Sequence, residues 1–469
     1  MPLAAAVSDG DEMAAGFAAI RAQLGVPAAF DPGVLAAAER WPTPTDLPRR
    51  DATELPLVTL DPPGARDLDQ ALFLERRGAG YRVWYAIADV PAFATPGGAV
   101  DLEAHRRGVT YYCPDGKVPL HPTVLSEDRA SLLADQVRPA YLWCIDLDSD
   151  GSVIATRVER AMVRSRGQFD YPGVQGELET GGADDVMTLL EQIGRLRQDQ
   201  EAARGGVSLN LPKQAVVGDA GGYRLEFSPA APVEGWNAQI SLLTGMCAAQ
   251  IMLGAGVGLL RVMPPPAEGD IARVRAVARS LRLSWPATMT YPEFIRSLSP
   301  EDQRTPAMLT AATSLMRGAG YAQIEPEMAV VEHSAVAAPY AHVTAPLRRL
   351  VDRYGLAASA AICAGEPVPE WVSAGMAELP ALMSASDRRA NSLERANVDL
   401  VEAGVLAGRE GEHFAAVGLS KRGRRSVVHV SGPAVIAACH GDVPLGAGVT
   451  VRLDRADVEA RAVEFSLVG

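Results

Sequence analysis

The stretch 55-LPLVTLDPPGARDLDQALFLE-75 carries three carboxylates, Asp61, Asp67 and Asp69, and the rest of the chain is organised around it. Leu57 to Leu60 is a short β-branched and apolar run, Pro62-Pro63-Gly64 cannot continue a strand, and Ala71 to Leu74 resumes an apolar run that returns as a second strand. The acids therefore stand at a strand end and in the turn after it. Asp67 and Asp69 are two apart, so in extended backbone both side chains point to one side. Carboxylates held this close repel, and each pKa rises unless a cation offsets the charge. Mg²⁺ does so with oxygen ligands, commonly one or two carboxylates beside waters and substrate phosphate, which suits phosphoryl chemistry. A solvated acidic turn is the ordinary alternative for an Asp-x-Asp in a loop.

The composition frames these options. A chain of 469 residues, 48% apolar and free of low-complexity blocks, is expected to be globular with about two to four domains. MPLAAAVSDGDE at the start has no basic opening, and no stretch approaches the ~20 apolar residues of a membrane span, so a cytoplasmic protein with no membrane partner is expected. Cys113, Cys144, Cys247, Cys363 and Cys439 are odd in number and scattered, which argues against a disulfide framework or a zinc site. A net charge of −13 opposes a broad nucleic-acid surface, because phosphate contacts supply much of such affinity. A metal-dependent nuclease partly escapes this objection. Ions offset its active-site acids, and an Arg-lined path can be local.

Taken in order, Met13, Phe17, Ile20 and Leu24 recur at helical spacing and predict a helix from Glu12 to Leu24. Asp31 caps a second, with Pro32 at its first position, to about Arg40. Residues 1–41 thus resemble a helix-turn-helix, although helical hairpins that merely cover a neighbouring domain share this pattern and are the more ordinary case; 42–56 is a Pro-rich linker. Residues 57–406 read as a mixed α/β body. Strands dominate to about Tyr171, with Tyr81 to Asp89 the hairpin partner of Ala71 to Glu75, and Tyr141 to Leu147 and Val153 to Val163 flanking DSDG. Helical patterns follow at 183–204, 233–255, 268–282, 304–317, 344–363 and 371–406. Asp89 reads as a structural acid. Over 407–469, five short strands (Phe414 to Leu419, Ser426 to Val430, Val435 to Ala438, Val449 to Leu453, Val463 to Leu467) suit an OB-fold barrel. Lys421-Arg422-Gly423-Arg424-Arg425 is its first loop, suited to a single-strand backbone, although a charge run is ordinarily only a solvated turn.

DPPGARDLDQALF resembles the signature of the ribonuclease II (RNB) family of exoribonucleases, in which an Asp, five residues, an Asp, one residue and two more Asp precede Ala-Leu. The last acid of that pattern is Gln70 here. YAIADV at 85–90, Tyr-x-Pro-Asp at 112–115 followed by VPLHPTVLS, YAHVTAPLRRLVD at 340–352 and LERANV at 393–398 continue the family's order from about residue 55 to the C-terminus. The resemblance implies an RNB-type catalytic domain with a C-terminal OB-fold, and a helical element where family members commonly carry two cold-shock barrels. It implies a monomeric, Mg²⁺-dependent 3′→5′ exoribonuclease that threads single-stranded RNA and releases nucleoside 5′-monophosphates; tolerance of structured RNA is left open. It assigns one or two Mg²⁺ ions to Asp61, Asp67, Asp69 and Gln70, and catalysis to Asp69, Arg348 and Glu394. RNA binding falls to Tyr112, which stacks on bases, to Arg348 and Arg349, and to Lys421, Arg422, Arg424 and Arg425. Tyr111 reads as a core aromatic.

In YAHVTAPLRRLVDRYG, Thr344 is the expected N-cap, with Pro346 just inside a helix and Arg348 and Arg349 in its first turn. Cations there oppose the helix dipole, and a bound phosphate supplies a reason for them. His342 is expected to pack and hydrogen-bond rather than ligate. Ala345 replaces the family's Ser, and WNAQISLLTGMCAAQIM shows Ala238, Gln239 and Gly245 where an acidic pair and an Asn are usual, so no site residues are assigned there. Gln70 keeps an oxygen and lacks the charge, which leaves a second reading: an RNA-binding protein on the same scaffold without catalysis. A nucleotide-sugar transferase built on Asp67-Leu68-Asp69 lacks the accompanying βαβ pattern.

Overall fold

Apolar runs punctuated by Pro and Gly turns fold into a curled sheet that begins in the acidic stretch. Its strands are β1 (Arg50–Asp51), β2 (Leu57–Asp61), β3 (Gln70–Arg77) and β4 (Gly80–Ala88), then, after a small hairpin of β5 (Tyr111–Cys113) and β6 (Gly116–Val118), β7 (Val137–Leu147) and β8 (Val153–Asp170). The order is β1-β8-β2-β3-β4-β7, and β8 also pairs with β7. β8 runs antiparallel to β7 as far as Arg164 and parallel to β2 from Ser165, which sets Asp170 beside Asp61. This computed structural model describes residues 10–40, 47–209, 213–219, 222–228, 230–299, 302, 304–325, 330–422 and 425–468.

Both sheet faces are covered. In β4, Val83, Tyr85 and Ile87 join one core while Trp84, Ala86 and Ala88 join another, the period-two alternation of a strand buried on both sides. The helices are α1 (Gly10–Gln23), α2 (Pro32–Ala38), α3 (Ala99–Arg107), α4 (Tyr171–Thr180), α5 (Asp185–Arg204), α6 (Pro232–Ala255), α7 (Glu268–Ser280), α8 (Tyr291–Arg296), α9 (Thr305–Ala312), α10 (Leu350–Ala364), α11 (Glu370–Gly375) and α12 (Leu379–Leu406). By length and composition α6 could cross a membrane, which the sequence reading did not anticipate. Here it is a core helix: Val233, Ile240, Leu243 and Met252 are buried, and Asn237 donates to Leu60 O at 3.4 Å and Tyr171 Oη at 3.1 Å.

Three short helices, α3, α4 and α8, and a hairpin of β9 (Lys213–Asp219) and β10 (Gly222–Ser228) lay outside the sequence reading. The expected helix 371–406 is divided into α11 and α12, with Pro380 in the first turn of the second. β11 (Leu259–Val262) pairs with β12 (Gly320–Gln323). The last five strands, β13 (His413–Arg422), β14 (Arg425–Ser431), β15 (Ala434–His440), β16 (Gly448–Asp457) and β17 (Ala462–Leu467), close as β13-β14-β15-β17-β16 around Phe414, Val428, Val451 and Phe465.

The N-terminal helices form a cover seated on the body. Met13, Phe17 and Ile20 of α1 are buried, and α2 buries Val34 and Ala38. The fully buried Arg107 donates to Ala29 O at 2.9 Å and lies over the Phe30 ring at 3.7 Å.

α6 passes the segment before α10 with no room for a side chain at Gly245. A Cβ there would stand 2.2 Å from the Tyr340 ring and 2.5 Å from Ala341 O. Alanine ordinarily favours a helix interior over glycine by about 1 kcal/mol. Here the backbone collision reverses the sign, and Gly245→Ala should destabilise by about 1–3 kcal/mol in urea unfolding. A stabilised variant would mean that the 340–344 segment withdraws freely.

Candidate active site

Leu68 anchors the acidic loop. Pro62 to Ala65 make a turn in which Gly64 adopts φ +77° and Ala65 N–H bonds Pro62 O at 3.1 Å, the conformation that Pro-Gly favours. Leu68 is fully buried, its N–H bonds Ser131 Oγ at 3.0 Å, and its carbonyl accepts from Leu132 N–H at 3.0 Å. With Leu68 turned into the core, Asp67 and Asp69 lie to its other side.

The three acids, expected to share a metal ion, stand in different local surroundings. Asp67 Oδ1 pairs with Lys117 Nζ at 2.8 Å, and Lys117 also meets Glu127 Oε1 at 3.0 Å. Asp69, 5% exposed, accepts from Leu347 N–H at 2.8 Å and lies 3.4 Å from Arg348 Nε. One oxygen of Asp61, Oδ2, is buried with no hydrogen-bond partner. Gln70 donates to Thr344 O at 2.6 Å, and its Oε1 accepts from the Tyr85 and Ser241 hydroxyls. Both ends of that amide, expected as a metal ligand, are engaged by protein groups. Among the described residues no group of three or more His, Cys, Asp or Glu is placed to hold a metal ion.

The donor set nevertheless fits a hard divalent cation. Burial raises the Asp61 and Asp69 carboxyls to about 7; the Asp67 charge adds to the rise at Asp61, and Arg348 opposes it at both. Asp61 with its unmet oxygen, Asp67 and Asp69 offer oxygens whose repulsion and protons a cation would displace. Lys117 was missed by the sequence reading. The available signal was its place directly across the hairpin from Tyr112.

The arginine segment corrects an expectation. α10 begins at Leu350, and Arg349 is its N-cap in extended backbone, φ −135° and ψ 125°. Pro346 disfavours helical backbone at Ala345, and Asp352 holds the segment from below by accepting Ala345 N–H at 2.7 Å. Arg349 forks onto Asp352 at 2.9 and 2.8 Å with its side chain 20% exposed, whereas the Arg348 side chain is 44% exposed beside Asp69. Of these two arginines, Arg348 is the one whose guanidinium faces outward to a ligand. His342 bonds the Tyr321 hydroxyl at 2.7 Å, and burial holds its pKa well below the usual range.

Tyr112 is 55% exposed and Tyr111 1%, as strand alternation requires. Tyr112 lies within electrostatic reach of Arg348, Asp67 and Asp69. Glu394 is not brought to this group. It is exposed on α12 among Asn391, Arg395 and Val398, on the wall of a cavity that faces Ile436 of the barrel. About two turns earlier, Asp387 pairs with Arg261 at 3.1 Å, and Arg261 lies over the Tyr321 ring at 4.6 Å. In the barrel, Lys421 pairs with Asp442, and Arg425 lies 3.5 Å from Glu464. Arg424 and the Arg422 side chain lie outside the described residues.

Comparison with known proteins places this geometry. Residues 49–355 match the RNB domain, and 412–468 match the RNase II-type exonuclease C-terminal S1 domain. Ribonuclease R of Escherichia coli (strain K12) is 27% identical over 495 aligned positions, which cover 94% of this chain and 60% of that protein. The chain thus spans about three fifths of that relative's length. Mycoplasma genitalium RNase R in complex with ribose methylated single-stranded RNA superposes with a TM-score of 0.88 at 17% identity, over 98% of this chain and 79% of that one. Yeast Ssd1, a pseudonuclease, superposes with a TM-score of 0.71 at 18% identity, over 87% of this chain and 52% of that one.

A carboxyl with a pKa of about 7 folded and 3.8 unfolded binds its proton more tightly in the fold. Stability from Asp61 is therefore complete below about pH 4 and is lost as pH rises towards 7 and beyond. In EDTA, the thermal midpoint should fall less steeply across this window in Asp61→Asn than in the unaltered chain. Mg²⁺, binding the folded state, should raise the midpoint above pH 7 in the unaltered chain and less in the variant. Identical slopes and identical Mg²⁺ responses would remove Asp61 from both roles.

Proposed function

This chain belongs to the RNB family, and we propose that it is a 3′→5′ exoribonuclease that hydrolyses single-stranded RNA to nucleoside 5′-monophosphates with a divalent cation at the acidic loop. The observation that carries the reading is the grouping of Asp69, the half-exposed Arg348 and the exposed Tyr112 beside Asp61 and Asp67. Held by Asp61, Asp67 and Asp69, Mg²⁺ would polarise a phosphoryl oxygen and lower the pKa of a bound water. Arg348 presents its guanidinium fork to the scissile phosphate and offsets negative charge that grows there. Asp69 fixes that guanidinium from behind, and Leu347 N–H fixes Asp69. Tyr112 offers a π face to a terminal base without selecting its identity, typically worth about 1–3 kcal/mol per base.

A second reading is an RNA-binding protein that has lost catalysis. It is favoured by the commitment of Gln70 to Tyr85, Ser241 and Thr344, which leaves the loop without a fourth ligand. Incubating 5′-labelled single-stranded RNA with Mg²⁺ or with EDTA separates the two. Progressive shortening from the 3′ end in Mg²⁺ alone supports the nuclease, and tight binding without shortening supports the alternative.

Two neighbouring arginines should respond oppositely. Arg348→Ala should lower single-turnover cleavage by about 10²–10³ with little change in stability, because one donor to developing charge is removed. Arg348→Lys should restore little, since a point charge does not reproduce the fork. Arg349→Ala strands the buried Asp352 carboxylate and should destabilise the fold by about 3 kcal/mol in urea. Full cleavage by Arg348→Ala would place the phosphate contact elsewhere.

A further inference from the structure

The hairpin that carries Tyr112 has three residues in each strand, too few to hold a position alone. Its placement must come from outside. Tyr111 supplies one anchor: its ring is buried, and its hydroxyl donates to Arg107 O at 3.0 Å and accepts from Arg389 at 3.2 Å. Lys117 supplies another through Asp67 and Glu127. The third is at the tip, where Asp115 receives both arms of the Arg21 guanidinium, at 2.6 and 2.9 Å.

Arg21 is not a loose surface cation. It lies in the last turn of α1, one turn after a packed segment of the same helix: Phe17 meets Tyr223 edge-on at 5.2 Å, and Gly16 lets the helix close on Leu400 of α12. Just past Arg21, Gln23 Oε1 accepts from Arg461 of the barrel at 2.9 Å. The Arg21 and Asp115 side chains are only 23% and 18% exposed, and the pairing raises the guanidinium pKa. The C-terminal turn of α1 thus meets both the barrel, through Gln23, and the hairpin tip, through the bidentate Arg21–Asp115 pair, while the rest of the helix is seated on the body.

We propose that α1 is a strut for Tyr112, in which Arg21 and Asp115 are positioning residues that hold the stacking ring over the acidic loop. The proposal rests on the RNA-binding role of Tyr112 given above. A two-point pair between planar groups fixes orientation as well as distance, which a single charge contact does not. Without it the tip is free to swing about the Tyr111 and Lys117 anchors, and the Tyr112 ring swings with it. The loss should fall on the terminal base and on the chemical step. Long-RNA affinity, which draws on many contacts, should change less than about twofold.

The test uses the full chain with single-stranded RNA carrying 2-aminopurine at its 3′ end, whose fluorescence falls on stacking. In EDTA, the unaltered chain should quench the probe, and Tyr112→Ala should not. Arg21→Ala and Asp115→Asn should each lose most of the quench and, in Mg²⁺, slow single-turnover cleavage about tenfold, a smaller loss than the 10² that an ångström of misplacement can bring. The exchange Arg21→Asp with Asp115→Arg should recover both readouts, and Arg21→Lys should fall between. Thermal melts identify any variant that misfolds, and the exchange and the lysine variant then carry the test. Full quench and full rate in both single variants overturn the strut, and so does failure of a folded exchange variant to recover. Absence of any Tyr112-dependent quench in the unaltered chain overturns it too. Quench that follows the pattern above in a chain that never shortens RNA overturns the nuclease reading and leaves the strut standing.

Discussion

The bond from Leu347 N–H to Asp69 joins segments 278 residues apart, and the surface of the candidate site depends on it. Next to it, Gln70 reaches Thr344 O across 274 residues. Two adjacent residues at the start of β3 thus clamp both ends of the 344–347 segment, and the Arg348 carbonyl then accepts Thr110 N–H at 3.0 Å, one residue before β5. The acidic loop, the arginine segment and the tyrosine hairpin become one unit. Such bonds are strong where water is scarce, and leaving one partner unmet there is correspondingly unfavourable.

The same scarcity of water shapes the charges. Asp69 is buried enough that its proton is held to about pH 7, although a guanidinium and an N–H oppose this. A carboxyl near neutrality is poised to exchange its proton for a cation, whereas an exposed one would already be ionised. Elsewhere the acids are buried with arginines: Asp101 with Arg353, Glu103 with Arg107, and Asp89 with Arg160. These pairs are neutral and leave the net charge at −13. Much of the arginine is structural, and a phosphate path requires only a few guanidinia left facing outward, as Arg348 is.

The barrel and the cover are coupled to this unit through packing. Glu402 of α12 accepts Ile436 N–H of the barrel at 2.8 Å, Leu400 of the same helix receives α1, and Ser386 lies against Gly108, just before the hairpin. A single 28-residue helix therefore touches the barrel, the cover and the approach to Tyr112.

Local signals carried much of this protein. Pro62-Pro63-Gly64 between apolar runs marked β2, the turn and β3, because those residues restrict backbone whatever surrounds them. Short apolar runs between turns marked the five barrel strands, and the ordered motifs from Asp61 to Val398 resembled the RNB family and through it set Tyr112 apart as the stacking residue. What the sequence could not state was which neighbour each polar group would meet. Asp67 faces Lys117, Asp69 faces Leu347, and Gln70 faces Tyr85 and Thr344; every one of those partners belongs to another segment. Asp352 and Pro346 decided that α10 begins after the arginines, and it is Asp387, about two turns before Glu394 on α12, that stands beside Arg261. Backbone restriction is local and can be read along the chain, whereas hydrogen-bond and ion-pair choice is settled only when distant segments are brought together and water is excluded between them.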